Sequence, residues 1–428
     1  MIWVALALLL GLLALSVPVA AVLGWVALAL DQLYAFLPLS FALGEITWGA
    51  STDVILVAIP MYVLLGEILL RAGIAQRMYG AMTHWLSWLP GGLMHSNIGA
   101  CTIFSAVSGS SVATAATIGT VAIEQIERHR YNARFFLGTI AAGGTLGILI
   151  PPSINMIIYG VLTETSIPQL YLAGFLPGLV LAILFMLTVL IGCRIRPEWG
   201  GRRMRSDWAA RWRSLPDLVP PLSIFLLVIG SIYAGIATPT EAASLGVIGA
   251  LVLAGWRRRL TLSMLRATIE GTMRTSAMIM AILIAANFLN FVLTSIGLTG
   301  EVNAMVTELG LTPMQTLLAV VLFYLVLGMF METLTMMVAT VPIITPVVVA
   351  QGFDPVWFGV LIMILIETAM ITPPVGINLY VVQGVRGRGQ LHDVMLGAAP
   401  FVVTLLVMVA LLVLIPEIAL LLPEALAR

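Results

Sequence analysis

The sequence contains no lysine, and charged residues of any kind occupy only 9% of its 428 positions. A soluble globular chain carries roughly 25% charged residues, so this composition excludes an ordinary water-soluble domain. Twenty arginines supply all the basic side chains and are balanced by twenty acidic residues. We attribute the absence of lysine to codon usage, and the balanced charge gives no indication of a nucleic-acid partner.

Cysteine and histidine are also scarce. The two cysteines, Cys101 and Cys193, fall in apolar segments, and two thiols supply neither a disulfide framework nor a complete metal site. The GSS sequence at 109–111 suggests a serine nucleophile, but such a nucleophile needs a base within reach. All four histidines fall in predicted loop or interfacial segments, and no HExxH metalloprotease motif is present. The sequence therefore predicts a protein that is not an enzyme.

Long apolar runs, by contrast, are abundant, because 61% of the residues are hydrophobic. Several of these runs reach the length of about 20 residues that a helix needs to cross a bilayer. The segment from Met1 to Leu30 lacks the positive n-region of a secretory signal, so we interpret it as a membrane span. These features predict an all-α polytopic membrane protein.

Clusters of arginine near span ends mark the cytoplasmic side of a membrane protein. Here the clusters lie at 71–77, 128–134, 194–213, 257–274 and 386–388, and the stretch between the last two has no basic residue. After a first span that leaves the cytoplasm near Met1, we predict eight further spans, at about 53–70, 135–162, 171–193, 219–236, 242–256, 276–296, 356–385 and 394–415.

Two apolar segments remain, and each must begin and end on one side of the membrane, as a re-entrant helical hairpin does. The hairpins, at about 97–123 and about 316–349, have polar centres, FSAVSGSSVATAAT and LGMFMETLTMM. Each is followed by a broken span with a Pro-Pro pair, at 135–162 and 356–385. The offset between the pairs (373 − 151) equals the offset between the hairpin tips Ser110 and Glu332 (332 − 110). Because the preceding spans run in opposite directions, the sequence predicts an inverted repeat of residues 1–215 and 216–428.

Each Pro-Pro pair removes backbone donors and leaves the carbonyl groups about four residues earlier, at 147–148 and 369–370, without partners. Such carbonyls survive at membrane depth only when they are buried in protein or line a wet cavity. Carbonyl and hydroxyl oxygens suit a small hard cation; for any single serine, threonine or glycine the alternative is close helix packing. The oxygens nearest the breaks predict cation ligands at Ser105, Ser108, Ser110, Gly328, Thr333, Thr335 and Thr372.

An anionic substrate has different candidates, since the N-terminus of a half-helix carries partial positive charge and exposed N–H groups. The asparagines that follow each break could orient a carboxylate. Ionisable groups at membrane depth are usually functional, and of Glu67, Glu332 and Glu367 we favour Glu332 because it lies at a hairpin tip. The predicted substrate-binding residues are Ser110, Ser111, Asn155, Glu332, Thr333 and Asn378.

The arginine-rich segment 194–213 also contains Trp199, Trp208 and Trp212. This composition predicts an interfacial amphipathic segment that rests on anionic membrane lipids. No arginine falls in the hairpins or in the breaks, so the sequence does not predict a buried arginine that holds the substrate.

Four blocks, FSAVSGSSVATAATIGTVAI, GGTLGILIPPSINMIIYG, GMFMETLTMMVATVPIITP and ITPPVGINLYVV, together resemble the large membrane subunit (DctM-type) of TRAP (tripartite ATP-independent periplasmic) transporters. The similarity covers essentially the whole chain. It implies an elevator-type fold and uptake of an organic acid across the bacterial inner membrane, driven by sodium. It also implies two partners, a small four-span membrane subunit on a separate chain and a periplasmic substrate-binding protein.

The resemblance further implies two sodium sites. One comprises Ser105, Ser108, Ser110, Gly147, Ile150 and Pro152, and the other comprises Gly328, Thr333, Ala369, Thr372 and Pro374. Selection of the substrate falls to the binding protein, so sialic acid, C4-dicarboxylates and other sugar or keto acids are equal candidates. Three alternatives stay open: a stand-alone dicarboxylate/sodium symporter without a binding protein, an ion channel, and a scaffold for another membrane complex.

Overall fold

The structure is a computed structural model that describes residues 1–202 and 207–426. All regular elements within these ranges are helices. Arg203 and Arg205, two members of the predicted lipid-facing segment, lie outside the described residues. Among the described residues, five helices are individually long and apolar enough to cross a membrane, and three bent helix pairs bring the possible number of spans to eight.

The first half of the chain contains eleven helices: α1 (Ile2–Ala14), α2 (Val19–Tyr34), α3 (Leu43–Thr52), α4 (Ala58–Arg71), α5 (Ile74–Leu86), α6 (Leu93–Ser108), α7 (Ser111–Ala122), α8 (Gln125–His129), α9 (Ala133–Leu149), α10 (Ile154–Thr163) and α11 (Ile167–Ile195). Short 3₁₀ turns precede α3 and α4 and follow α11. The predicted hairpin at about 97–123 corresponds to α6 and α7, and the broken span predicted at 135–162 corresponds to α9 and α10.

A short helix, α12 (Trp208–Ser214), connects the halves. The second half contains α13 (Val219–Tyr233), α14 (Pro239–Trp256), α15 (Leu262–Ser295), α16 (Leu298–Glu308), α17 (Pro313–Gly328), α18 (Thr333–Ala350), α19 (Pro355–Ile371), α20 (Ile377–Arg386), α21 (Leu391–Leu414) and α22 (Glu417–Leu426). The hairpin predicted at about 316–349 is α17 and α18, and the span at 356–385 is α19 and α20.

The order of helices repeats with the spacing that the proline pairs predict. Helix α9 runs from 133 to 149 and α19 from 355 to 371, so both ends are displaced by the offset of the proline pairs (355 − 133 and 371 − 149). Packing is reciprocal as well: α4 packs on α14 while α15 packs on α2, and α10 packs on α18 while α20 packs on α7. Such exchanged pairs are what a two-fold relation between the halves produces. The fold is thus a helical membrane repeat with two hairpins and two broken helices.

The chain forms these breaks and tips for local chemical reasons. The α9 and α19 helices end before Pro-Pro pairs, whose nitrogens cannot donate to the helix. At the hairpin tips, α7 and α18 begin at side chains that cap them. The Ser110 hydroxyl accepts from the backbone N–H of Ala113 at 3.4 Å, and Glu332 accepts from that of Thr335 at 3.1 Å. Both caps satisfy donors that a helix start otherwise leaves open.

Three predictions from the sequence differ from the structure. The segment from Met1 to Leu30 is not one span but two helices, α1 and α2, interrupted where Ser16 has a positive φ and Pro18 has no N–H. Helix α15 begins at Leu262, well before the predicted start at 276. Helices α3 and α5 were not predicted, because their mixed polar and apolar residues lack the uniform hydropathy of a span.

The broken helices form the centre of the molecule. Every residue of α19 from Val356 to Ile371 is buried, as is all of α9 from Phe135 onward. A helix that is apolar on all sides belongs in an interior. Helix α9 crosses α21 where Gly138 contacts the carbonyl of Gly397, and a side chain at either glycine would overlap the backbone of the other helix.

Replacing Gly138 with alanine should therefore lower the thermal stability of the detergent-solubilised protein. Overpacking of this kind costs about 1–3 kcal/mol, which exceeds the gain of about 1 kcal/mol that alanine has over glycine in a helix. Gly230 in α13 is a matched control, because an added methyl group there meets nothing within 4 Å. Equal unfolding temperatures for Gly138→Ala and Gly230→Ala would contradict the close crossing of α9 and α21.

Candidate functional site

The tip of the first hairpin, residues 109–110, lies directly on the first break, residues 150–153. Gly109 has φ of +60°, and a Cβ atom there would lie 2.5 Å from the carbonyl oxygen of Pro152. A Cβ atom on Gly147 would lie 2.7 Å from the backbone carbon of Ser110. Glycine at these two positions therefore lets the backbones of the tip and the break meet. The structure therefore brings Ser110, Gly147 and Pro152 of the first predicted cation set close together.

The serine hydroxyl groups of this set differ in their hydrogen-bond partners. Ser108 Oγ is 2.9 Å from Thr114 Oγ1, and Ser110 Oγ accepts the N–H of Ala113. Ser105 Oγ is fully buried and has no hydrogen-bond partner in the described part of the chain. Ile150 uses its N–H within α9, donating to Leu146 at 2.9 Å. Buried polar atoms are normally paired, so Ser105 marks a place where a donor or a cation fits.

The tip of the second hairpin, residues 329–332, meets the second break, residues 372–376, in a different way. The N–H of Val375 donates to the carbonyl of Met329 at 3.3 Å, which joins tip and break by a backbone hydrogen bond. Gly328 contacts the Cβ of Ala369. Of the second predicted cation set, the structure thus brings Gly328 of the hairpin against Ala369 of the broken helix.

Glu332 organises the start of α18. Thr333 Oγ1 donates to one carboxylate oxygen at 2.9 Å, and Thr335 donates its hydroxyl to the other at 3.2 Å. At the break, Thr372 Oγ1 donates to the carbonyl of Thr368 at 2.6 Å. These hydroxyls keep their lone pairs, so they can still accept or coordinate.

The expectation that the carbonyl of Ala369 lacks a partner is wrong. It accepts the N–H of Thr372 at 3.3 Å, because the last turn of α19 tightens to a 3₁₀-type bond. The carbonyl of Pro374 likewise accepts the hydroxyl of Tyr380 at 3.3 Å. At the second break, the carbonyl oxygens of Ala369 and Pro374 thus both accept hydrogen bonds.

A cavity of about 450 Å³ lies between the two tips. Five of the six residues predicted to bind substrate line it, namely Ser110, Ser111, Asn155, Glu332 and Thr333. The sixth, Asn378, is not in the cavity wall. It is fully buried and donates its amide to the carbonyl of Ala141 at 3.2 Å, where it joins α20 to α9.

Three helices begin at this cavity. Their first turns contribute Ser111 and Val112 from α7, Ile154 and Asn155 from α10, and Thr333 and Leu334 from α18 to its wall. Converging N-termini present N–H groups and partial positive charge to the enclosed space. Ser111 has a structural bond too, since its hydroxyl donates to the carbonyls of Gly144 and Thr145 at 3.0 and 3.1 Å.

Sequence reasoning missed the opposite wall, which α4 and α15 supply through Gly66, Glu67, Thr275 and Met278. Glu67 was noted only as an acid at membrane depth, and it forms a salt bridge of 3.0 Å with Arg71. Gly271 contacts the same carboxylate, so α4 and α15 meet there. The cavity reaches Leu70, which precedes Arg71 at the end of α4, and Thr275, which follows Arg274 within α15. The arginine distribution places these residues toward the cytoplasmic side.

The predicted lipid-facing segment has the composition of a membrane interface. Trp208 and Trp212 are exposed, and the Arg211 guanidinium lies 4.7 Å from the centre of the Trp208 ring. Arg196 lies in the same manner over Trp199, at 4.9 Å. Tryptophan and arginine in this arrangement are typical of the polar boundary of a bilayer.

Two hairpins that meet two broken helices around one cavity define a secondary transporter. Residues 6–418 match the family model of the tripartite ATP-independent periplasmic transporter, DctM component, and the chain belongs to that family. It is therefore a transporter subunit of the bacterial inner membrane and not an enzyme. The resemblance seen in the sequence is confirmed.

Relatives in several bacteria match most of the chain. The C4-dicarboxylate TRAP transporter large permease of Pseudomonas aeruginosa is 35% identical over 86% of both chains. The sialic acid large permease of Vibrio cholerae is 33% identical over 97% of this chain and 96% of its own. The ectoine large permease of Halomonas elongata is 31% identical over 86% of each.

Among solved structures, the fold is similar to that of the YdaH transporter of Alcanivorax borkumensis, with a TM-score of 0.63. The alignment covers 92% of this chain and 97% of that one at 16% sequence identity. This likeness shows a shared arrangement of helices.

The course of the cavity predicts which cysteine substitutions react with a membrane-impermeant maleimide. Val112 lies in the cavity wall with 40% of its surface exposed, whereas Ala115, one turn further along α7, is fully buried. The native Cys101 and Cys193 are buried and should give little background. We expect Val112→Cys to be labelled from the cytoplasmic side of oriented vesicles, and Ala115→Cys to stay unlabelled. Labelling of Val112→Cys only from the periplasmic side would contradict a cavity open at the arginine-rich end.

Proposed function

We propose that the chain takes up an organic acid across the inner membrane by coupling its entry to sodium ions. The observation that carries this proposal is the convergence of three helix N-termini and both tip–break contacts on one cavity. The N-termini suit a carboxylate, and the oxygens behind them suit small hard cations. Anion and cation would therefore bind side by side, which is what coupled transport requires.

The first break supports the cation part of the proposal. Ser105 offers a buried hydroxyl without a partner among the described residues, and the backbones of Gly147 and Pro152 lie against the hairpin tip. Hard cations bind hydroxyl and carbonyl oxygens of this kind. A cation held there would draw the tip and the break together, and so would order the start of α7.

The second break has the same elements with one difference. Glu332 adds a carboxylate beside the hydroxyls of Thr333 and Thr335, and these groups stand at the start of α18. Gly328 and Thr372 lie at the junction of tip and break. A cation at this junction would bind nearer to formal negative charge than one at the first break.

Two sodium ions supply enough free energy for accumulation. Each entering ion gains about 2.3 kcal/mol per 100 mV, and about 1.4 kcal/mol from a tenfold gradient. Two ions give about 7 kcal/mol, and a monoanion returns about 2.3 kcal/mol against the potential. The remaining ~5 kcal/mol sustains a gradient of roughly several thousandfold. A dianion leaves about 3 kcal/mol, or roughly a hundredfold.

The packing of the helices supports an elevator-type movement. Helices α2, α4, α14 and α15 pack on one another as a scaffold. The hairpin helices α6, α7, α17 and α18 pack on the broken helices. The cavity lies between these two groups and reaches the arginine-rich side. In the proposed cycle this is the inward-open state, and movement of the hairpins and broken helices against the scaffold opens the other side.

The substrate class follows from what the relatives share. They are named for C4-dicarboxylates, sialic acid, ectoine and isethionate; the first three carry a carboxylate and isethionate carries a sulfonate, so the group that they share is an acidic group that is ionised at neutral pH. We propose the same group for this chain's substrate. We further propose that a small four-span membrane subunit and a periplasmic substrate-binding protein complete the system.

Reconstitution tests the whole proposal. The chain would be placed in proteoliposomes with its small subunit, and the uptake of candidate organic acids measured with and without the binding protein and an inward sodium gradient. Uptake that needs both supports the TRAP assignment. Sodium-dependent uptake by the chain alone favours a stand-alone symporter, and uptake indifferent to sodium contradicts the coupling.

Ser105→Ala gives a sharper test of the first cation site. The substitution removes no hydrogen bond, so the unfolding temperature without sodium should not change. A ligand stabilises the native state by an amount that depends on its concentration relative to Kd. We therefore expect the sodium concentration that gives half of the thermal stabilisation to rise by about tenfold, the equivalent of one lost oxygen contact of about 1.4 kcal/mol.

The matched control is Ser231→Ala in α13, a helix that belongs to neither break. The hydroxyl of Ser231 donates to the carbonyl of Val228, at a distance of 2.9 Å. This variant should keep the wild-type sodium dependence even if its unfolding temperature falls. A Ser105→Ala protein with the wild-type sodium curve would remove Ser105 from the site.

A further inference from the structure

The carboxyl group of Glu367 stands apart from every other acidic side chain in the described chain. Glu367 lies in α19, two positions before Ala369, and its side chain is completely buried. Neither carboxylate oxygen has a hydrogen-bond partner among residues 1–202 and 207–426. The side chain is also absent from the wall of the substrate cavity. Substrate binding in the cavity therefore does not explain why the Glu367 side chain is buried.

Glu367 joins the two halves of the repeat. It belongs to the second broken helix, yet the backbone of Leu149, the last residue of α9, faces its carboxyl group without completing a hydrogen bond. Leu149 directly precedes the first break and follows Gly147, which contacts the backbone of Ser110. An acidic side chain from one half thus reaches the break of the other half.

In its ionised form, a carboxyl group buried in this way needs a positive partner. An uncompensated carboxylate in a protein interior costs several kcal/mol, and buried charges are normally paired or coordinate metal ions. The arginines nearest to the broken helices are otherwise engaged, since Arg134 and Arg386 both bind Asp393, at 2.9 and 3.2 Å. His95, in the first hairpin, bonds through Nε2 to the carbonyl of Pro90. The described chain therefore provides no basic side chain for Glu367.

We propose that Glu367 supplies the negative counter-charge for the cation that binds at the first break. This inference rests on the proposed sodium coupling. The hydroxyl and carbonyl oxygens of the first set are neutral, so a cation held by them alone would leave a full positive charge in a medium of low dielectric constant. The carboxylate of Glu367 cancels that charge, and the cation in turn compensates the carboxylate.

The position of Glu367 also links the two breaks. Thr372, where the second break begins, follows Glu367 by little more than one helical turn along α19. A cation at the first break attracts a side chain of α19, so its binding favours one position of α19 relative to α9. Binding at the first break would thereby influence the geometry at the second through a single rigid helix.

Glu367→Gln tests this proposal, because the amide keeps the shape of the side chain and removes the charge. The unfolding temperature would be measured across a sodium series at constant ionic strength, with choline as the replacement cation, and ²²Na⁺ binding would be measured directly. We expect the half-saturating sodium concentration to rise at least about tenfold. The unfolding temperature without sodium should stay equal or rise, since the substitution removes a buried carboxyl group whose oxygens have no hydrogen-bond partner among the described residues.

Two comparison variants make the result decisive. Glu270→Gln, at an exposed carboxylate paired with Arg274 at 3.7 Å, should keep the wild-type sodium curve. Glu367→Asp retains the charge at a shorter reach and should fall between wild type and Glu367→Gln. If the glutamine variant does not fold, an aspartate variant with unchanged half-saturation would overturn the proposal.

Failure of this inference is distinct from failure of the proposed function. A Glu367→Gln protein with the wild-type sodium curve would show that the carboxyl group is not the counter-charge, while sodium coupling itself would stand. A wild-type protein whose stability and ²²Na⁺ binding show no response to sodium would overturn both.

Discussion

The structure depends on one constraint, which is that a backbone polar group at membrane depth must find a partner. Two Pro-Pro pairs interrupt the helices that would otherwise satisfy these groups, and each hairpin tip lies against the resulting gap. At the first break this contact requires Gly109 and Gly147, because any side chain there would separate the backbones. At the second break it is a hydrogen bond between Val375 and Met329. The polar centre of the molecule therefore results from the interruption of the two broken helices at their Pro-Pro pairs.

The two halves meet this constraint with different chemistry. The first break is lined by serine hydroxyls, of which that of Ser105 has no partner in the described chain, and its tip meets it by glycine contacts. The second has a carboxylate, Glu332, that already accepts hydrogen bonds from two threonines. A repeat that keeps its helices in register can therefore present two sites of unequal charge. The buried carboxylate of Glu367 reduces this inequality, since it brings negative charge from the second half to the first.

The sequence was sufficient to predict the hairpins, the broken helices and most of the cavity wall, because proline pairs and polar tips are rare inside apolar runs and recur at one spacing. It was not sufficient where composition is uniform or where contacts are distant. The interruption between α1 and α2 lies in a continuously apolar stretch, so hydropathy does not reveal it. Asn378 was paired with Asn155 by motif, but the repeat spacing maps Asn155 to position 377 (155 + 222). The second break has one extra residue, so α20 begins one residue later than the repeat spacing requires, and Asn378 donates to the carbonyl of Ala141 in α9 instead of lining the cavity.

The charges around the cavity have a consequence for the order of binding in the proposed cycle. Glu67 is neutralised by Arg71, but Glu332 has no basic partner in the described chain, so an organic anion approaching the tips meets a negative charge. The partial positive charge of three helix N-termini opposes this repulsion only in part, because each amounts to roughly half a unit charge. Cations at the two breaks would change the sign of the local field before the anion arrives. Sodium binding would then precede substrate binding. Coupling would follow from electrostatics, and no single side chain would need to bind both the sodium ion and the organic anion.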